Sequence, residues 1–400
     1  MRRLEKIPVD QLRIGMYVRE LDKPWEESSF MFQGLDIKTQ QDILAVQAEC
    51  QHVFVDYADY QVSNPEPSKR SAPGTPVAAP SLQIEDEYSD AREVHTLAEE
   101  TVQRMFEEIR LGGQIDAGKV KSAVSSTVES ILRNPDASIW LTRLKAKDEH
   151  TAQHSLNVAA LSIVMARGMG MSTKEMEDLG VCAMLHDVGK TSLPTELINK
   201  PGPLSEEEWA LMHKHPKFGR DILMSTQSVF SGAADVAYSH HERPDGKGYP
   251  RGLTADEIPL YAQIVSIAEA YDTITTKQIY REARSPSEAL HILYGERGKQ
   301  FDEDLVIKFI DSIGIFPPGS IVEMTNGEVG IVLSNTTDKL KPRVIILLDK
   351  NKDASMQRVV DLSQLQPDPS GVPYQIKTTL RDGEYGIVVE DFQRAGLRIG

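Results

Sequence analysis

The chain has 400 residues, 40% hydrophobic and 26% charged, enough for two or three domains with buried cores. Its formal charge of −16 argues against wrapping a nucleic-acid duplex, where dense Lys and Arg must displace counterions; a small charged ligand in a local pocket stays open. Two cysteines, Cys50 and Cys182, make neither a disulfide framework nor a Cys-based zinc site, and no apolar run approaches the ~20 residues of a membrane span. The basic N-terminus lacks the apolar stretch of a signal peptide, so the expectation is a cytoplasmic protein.

Residues 1–62 alternate short apolar runs with turns. LRIGMYVREL and CQHVFVDY carry β-type patterning and TQQDILAVQAE a short helix, predicting a small α+β domain. Residues 63–91 read as a linker, because 63–81 hold five prolines, four serines and almost no apolar anchors. Helical spacing then runs from about residue 92 to 314. In its first segment Val94, Leu97, Val102, Met105, Phe106 and Ile109 share an apolar face, and Gly112-Gly113 ends the helix. Ser205 with Glu208, and Ser285-Pro286 with Glu288, are N-terminal capping signals. Residues 315–400 change period: SIVEM and EVGIVL flank Thr325-Asn326-Gly327, a hairpin signal, and RVIILLD supplies a third strand. The fold class is therefore mainly α, a helical bundle between a small α+β N-terminal domain and a small β-rich C-terminal domain.

Seven of the ten histidines fall between positions 150 and 241. His150 and His154 are four apart and face one way on a helix. The apolar run LGVCAML delivers His186-Asp187, a pair costly to bury without a partner such as a metal. His213 and His215 cannot share a helical face, and His240-His241 precede a Gly-rich turn. Imidazole and carboxylate donors suit Fe, Mn or Zn, and five histidines plus an aspartate over-supply one ion, so two divalent ions are expected. Two cations about 3.5–4 Å apart hold a bridging hydroxide and both oxygens of a phosphoryl group for in-line displacement. Asp187, with two oxygens, is the natural bridge; Lys190 can contact a phosphate oxygen or protonate the leaving alkoxide.

The ordered series HS at 154, LHDVGK at 185–190, HP..G at 215–219, HHERPDGKGYP at 240–250 and PLYAQIVSIAEAYDTI at 259–274 resembles the HD-GYP phosphodiesterases, over about residues 110–314. The first sixty residues resemble a small domain of unknown function that often precedes them. The resemblance implies an HD-type helical bundle and metal-dependent hydrolysis of cyclic di-GMP to linear pGpG and GMP. It implies His154, His186, Asp187, His215, His240 and His241 as ligands to iron or manganese, and Lys190 at the substrate phosphate. Asp245, Gly246 and Tyr249 would shape the site mouth on the substrate side, in a loop that also implies contact with diguanylate cyclases; Gly246 and Gly248 equally suit a plain turn.

Three positions depart from the pattern. Glu269 stands where the family has Asp and remains an oxygen ligand, with Asp272, three residues on, as the alternative. His150 stands where a subset carries Glu for a third metal, which favours two ions over three. Gln278 replaces a phosphate-clamping arginine, while Arg281 and Lys277 keep positive charge for the substrate. The alternatives are a non-catalytic sensor or adaptor binding cyclic di-GMP or a diguanylate cyclase, and an enzyme for another cyclic dinucleotide. No oligomeric state is readable.

Overall fold

The computed structural model describes residues 4–12, 17–22, 35–37, 40–56, 80–143, 150–226, 229–276, 283–365 and 373–394. The chain divides into two compact units, Met1–Pro73 and Gly74–Gly400. Among the described residues no helix is long and apolar enough to cross a membrane.

The first unit holds β1 (Leu4–Pro8), β2 (Tyr17–Leu21), β3 (Leu35–Asp36), α1 (Gln40–Glu49) and β4 (His52–Asp56). Its antiparallel sheet has the order β1-β4-β2-β3, with Leu4 opposite Asp56 and Pro8 opposite His52. Ile7, Val18, Ile37, Val46, Val53 and Val55 form its core.

The second unit begins with α2 (Ile84–Arg110), α3 (Ala117–Arg133) and α4 (Pro135–Leu141). It continues through α5 (His150–Gly168), α6 (Thr173–Leu185), α7 (Thr195–Ile198), α8 (Glu206–Met212), α9 (His215–Ser225) and α10 (Gly232–Ser239). α11 (Leu260–Thr275), α12 (Pro286–Gly295) and α13 (Glu303–Ile313) complete the bundle. Its centre is α5 and the second half of α6, Leu179–Leu185, buried on almost every face. The capping boxes at Ser205/Glu208 and Ser285/Glu288 both form.

After the bundle come β5 (Ile321–Met324), β6 (Val329–Ser334), β7 (Arg343–Leu348), β8 (Ala354–Asp361) and β9 (Ile376–Leu380), then α14 (Val389–Arg394). All pairings are antiparallel and the sheet order is β8-β7-β6-β5-β9. Asn326-Gly327 turns the β5–β6 hairpin, with Gly327 at φ 89°.

Two expectations change. The linker expected over 63–91 stops short, because α2 starts at Ile84. Its first turn, Glu85-Asp86-Glu87, looks like a solvated run, but Ile84, Tyr88 and Ala91 recur at helical spacing and are buried. Glu87 is buried against Arg133, whose Nε donates at 2.6 Å, and Ser130, which ties α2 to α3. Leu97 leaves the expected apolar face and is 58% exposed. The C-terminal sheet lies in the same compact unit as the helices and packs against them. Ile321, Val329, Ile331, Leu333 and Ile345 share one apolar cluster with Ile84, Tyr88, Ala91 and Trp140 of the helices. Trp140 Nε1 donates to the Leu333 carbonyl at 2.7 Å, and the Asp136 carboxylate accepts from Asn335 N and Nδ2 at 2.9 and 2.8 Å. A sheet with one apolar face must bury it, and the helices supply the surface.

Candidate metal centre

Five chain segments deliver the cluster, each for a local reason. α6 is buried from Leu179 to Leu185, so its C-terminus carries His186 and Asp187 into the interior, where neither is exposed. Asp187 then opens a 3-10 turn over Val188–Ser192. α9 starts at His215 with Pro216 in its first turn, where a missing N–H does no harm. α10 ends at His240, and α5 and α11 contribute His154 and Glu269. Gly189 allows the approach: a Cβ there would lie 2.0 Å from the His215 carbonyl oxygen and 2.4 Å from Gly219 N.

The ring orientations share one rule. His186 Nδ1 lies 2.7 Å from the Ala183 carbonyl, His215 Nδ1 2.8 Å from the Met212 carbonyl, and His240 Nδ1 3.3 Å from the Val236 carbonyl. His154 Nδ1 lies 2.8 Å from Asp272 Oδ2. A carbonyl or carboxylate accepts, so each Nδ1 carries the proton and each Nε2 turns a lone pair inward.

Asp187 sits where those lone pairs converge. Its Oδ1 is 3.4 Å from His215 Nε2 and 3.9 Å from His240 Nε2. Its Oδ2 is 3.5 Å from His186 Nε2 and 3.9 Å from His154 Nε2. Lys190 Nζ donates to Oδ2 at 2.5 Å. His241 Nε2 is 3.8 Å from Glu269 Oε1. Three donor groups result, each with ligand atoms within 4.8 Å: His154/His186/Glu269, His215/His240/His241 and His186/Asp187/His240.

These residues fit divalent ions. His186 Nε2 and Asp187 Oδ1 are buried with no hydrogen-bond partner, a state that costs about 1–3 kcal/mol per group unless something binds there. His215 and His240 Nε2 atoms lie 3.2 Å apart with their lone pairs facing, a repulsion that a cation removes. Burial holds the His215 pKa down to about 4 and those of His240 and His241 well below the usual range, so all three offer lone pairs at neutral pH. For Asp187 burial alone would raise the pKa, but Lys190, then His186 and His215, outweigh it and keep the carboxylate ionised. Burial likewise disfavours the Lys190 ammonium, yet Asp187 and Glu269 hold its pKa up. Burial pushes Glu269 up to about 7.

Glu269 thus stands within the His154/His186 group, and Asp272 stands behind His154, also accepting from Asn157 Nδ2 at 3.0 Å. Of the expected mouth residues, Tyr249 stacks on the His241 ring at 4.7 Å. Asp245 instead serves its own loop, accepting from Arg243 at 2.8 and 3.0 Å and from Lys247 N at 3.2 Å. Gly246 N donates to the Arg243 carbonyl, and a Cβ on Gly248 would meet Arg243 N at 2.3 Å. The side chain of His150 and residues Lys277, Gln278 and Arg281 lie outside the described residues. Sequence spacing missed the orienting role of Asp272 and of the three main-chain carbonyls, since a carbonyl has no residue signature.

Family models match residues 140–305 as an HD domain and residues 4–120 as a domain of unknown function (DUF3391). A cyclic di-GMP phosphodiesterase of Pseudomonas aeruginosa is 34% identical over 372 residues, spanning 90% of this chain and 89% of that protein. A 3'3'-cGAMP-specific phosphodiesterase of Vibrio cholerae is 33% identical over 164 residues, 41% of this chain and 31% of that protein. An HDG"Y"P protein of Bdellovibrio bacteriovorus aligns in structure with a TM-score of 0.48 at 18% identity, over 77% of this chain and 99% of that one. With the His-Asp series, the GYP loop and a relative alike along nearly its whole length, the chain belongs to the HD-GYP family of metal-dependent cyclic dinucleotide phosphodiesterases.

Proposed function

We propose that this chain hydrolyses cyclic di-GMP to linear pGpG, with GMP as the product of a second cleavage, using two divalent ions, iron or manganese. His154, His186 and Glu269 would hold one ion and His215, His240 and His241 the other, with Asp187 between the two groups. The observation that carries this is the division of Asp187: one oxygen faces His154 and His186, the other His215 and His240. Such ions supply charge to the phosphoryl oxygens and activate a water for in-line displacement. The protein's part is to aim the Nε2 donors, keep Asp187 ionised and hold the Lys190 ammonium beside it, within reach of a phosphate oxygen. Burial, with Glu269 and Asp187 nearby, raises the Tyr249 pKa, so its phenol stays a proton donor at the site mouth. Arg281 adds positive charge for the second phosphate in this reading.

The test is metal analysis of anaerobically purified protein beside turnover of cyclic di-GMP, pGpG and 3'3'-cGAMP. Two ions and hydrolysis of cyclic di-GMP support the proposal, and a metal-loaded chain inert towards it sinks the proposal. A preference for 3'3'-cGAMP would move the substrate to that of the Vibrio relative, the second reading its 33% identity supports. The loop through Asp245, Gly246 and Tyr249 is further proposed to contact diguanylate cyclases, tested by whether Lys247→Glu, at an exposed position of this half-buried loop, abolishes co-purification. A cytoplasmic setting is part of the proposal, supported by two buried free cysteines, Cys50 and Cys182.

A further inference from the structure

Trp209 and His213 stand outside the ligand groups yet connect to them. They are four residues apart on α8 and its C-terminal cap, hence on one face. The Trp209 ring meets the His213 ring edge-on at 5.4 Å, and His213 stacks on Tyr249 at 4.0 Å and 21°. Tyr249 stacks in turn on His241 at 4.7 Å and 25°, and its N–H donates to the His241 carbonyl at 3.2 Å. Four aromatic rings therefore run in contact from the surface to a ligand of the metal centre.

Packing does not account for the outer two. Trp209 is 50% exposed and His213 is exposed, whereas core aromatics such as Trp140 and Tyr271 are buried. Tyr249 already stacks with two rings, so an incoming planar group finds its open face on Trp209 and His213. The phosphate has its place elsewhere: α8 opens with Glu206 and Glu207, which repel an anion, and with Glu208, whose charge Lys200 offsets. What fits beside them is an uncharged planar base. A cyclic dinucleotide carries two purines, each set off from the phosphates by a ribose. With one phosphate at the metal centre beside Lys190, a purine can turn outward towards this file.

We propose that Trp209, with His213, forms a stacking platform for one purine of the cyclic dinucleotide, positioning the phosphodiester at the metal centre. The inference rests on the substrate class given under Proposed function. Stacking on an aromatic ring is sequence-tolerant, because every base has a π-face, so the platform tightens binding of guanine- and adenine-containing substrates alike.

The test uses the full-length metal-loaded chain with Trp209→Ala, Trp209→Leu and Trp209→Phe, assayed on cyclic di-GMP and on bis(p-nitrophenyl) phosphate, a diester without a nucleobase. Trp209→Ala should raise KM for cyclic di-GMP by about fivefold to about 150-fold, the span of measured base-stacking losses, with kcat retained. Trp209→Leu should behave like Trp209→Ala, and Trp209→Phe should recover most of the loss. Activity on the base-free diester and metal content should not change. An unchanged KM in Trp209→Ala, or an equal loss on both substrates, overturns the platform while leaving the catalytic reading intact. An unaltered chain inert towards cyclic di-GMP fails the catalytic reading and the platform with it.

Discussion

Asp272→Asn separates the residue that orients a ligand from the residue that is one. Both oxygens of Asp272 accept: Oδ2 from His154 Nδ1 at 2.8 Å and Oδ1 from Asn157 Nδ2 at 3.0 Å. An asparagine offers one acceptor oxygen and one donor NH2, so either His154 or Asn157 must face a donor. If His154 keeps the acceptor, it loses the carboxylate's charge; if Asn157 does, the imidazole must rotate or swap its proton to Nε2. Losing such an orienting partner typically costs 10–100-fold in metal affinity, or about 1.4–2.8 kcal/mol. Metal titrated into chelated protein, with turnover followed at each free-metal concentration, reads this directly. Asp272→Asn should shift half-activation upward by about 10–100-fold and regain the parent kcat at saturation. Glu269→Gln, by contrast, should hold one ion fewer at any concentration and never regain that rate. The reasoning fails if Asp272→Asn permanently loses an ion while Glu269→Gln keeps two, for then the two carboxylates have exchanged roles.

Other outcomes follow from the same geometry. Asp187→Ala should abolish turnover and release both ions, measured by elemental analysis, because each oxygen faces one donor group. The metal-free chain should lose thermal stability as pH falls from 6.5 towards 4. Unfolded His215 takes a proton near 6.5 and folded His215 only near 4, so the unfolded state holds more protons in that window and acid draws the chain towards it. His240 and His241 act in the same sense; Glu269, raised to about 7, and Asp136, raised by burial, oppose them, and melting curves across the window give the sign. Gly189→Ala, whose Cβ would fall 2.0 Å from the His215 oxygen, should lower the melting temperature by the equivalent of about 1–3 kcal/mol or more and weaken metal retention.

Part of the candidate site was legible because His186, Asp187, His215 and His240 stand at helix ends, and helix ends carry signals. The apolar run before His186 reads as a buried helix pointing at something, and Pro216 marks the start of α9 just where His215 sits. Glu269 and Asp272 were not separable by spacing: three residues apart, they share a face of α11, and which one faces the other donors depends on where α5 lies. The start of α2 was hidden for a related reason. Glu85, Asp86 and Glu87 resemble a solvated segment until the C-terminal sheet is known to cover Ile84 and Tyr88. Local patterning reports a helix's own preferences; the partner that buries a short stretch lies far along the chain.

The anchors of the imidazole rings bear on how this centre tolerates sequence drift. His186, His215 and His240 are aimed by carbonyls three or four residues back in the turn that leads to each. No substitution of a side chain deletes a carbonyl, so these three rings keep their aim through any change that preserves the turn. Of these four anchored rings, only that of His154 depends on a replaceable group, the Asp272 carboxylate of another helix. Among these four rings, sensitivity to loss of the anchoring group is therefore concentrated at the Asp272 codon.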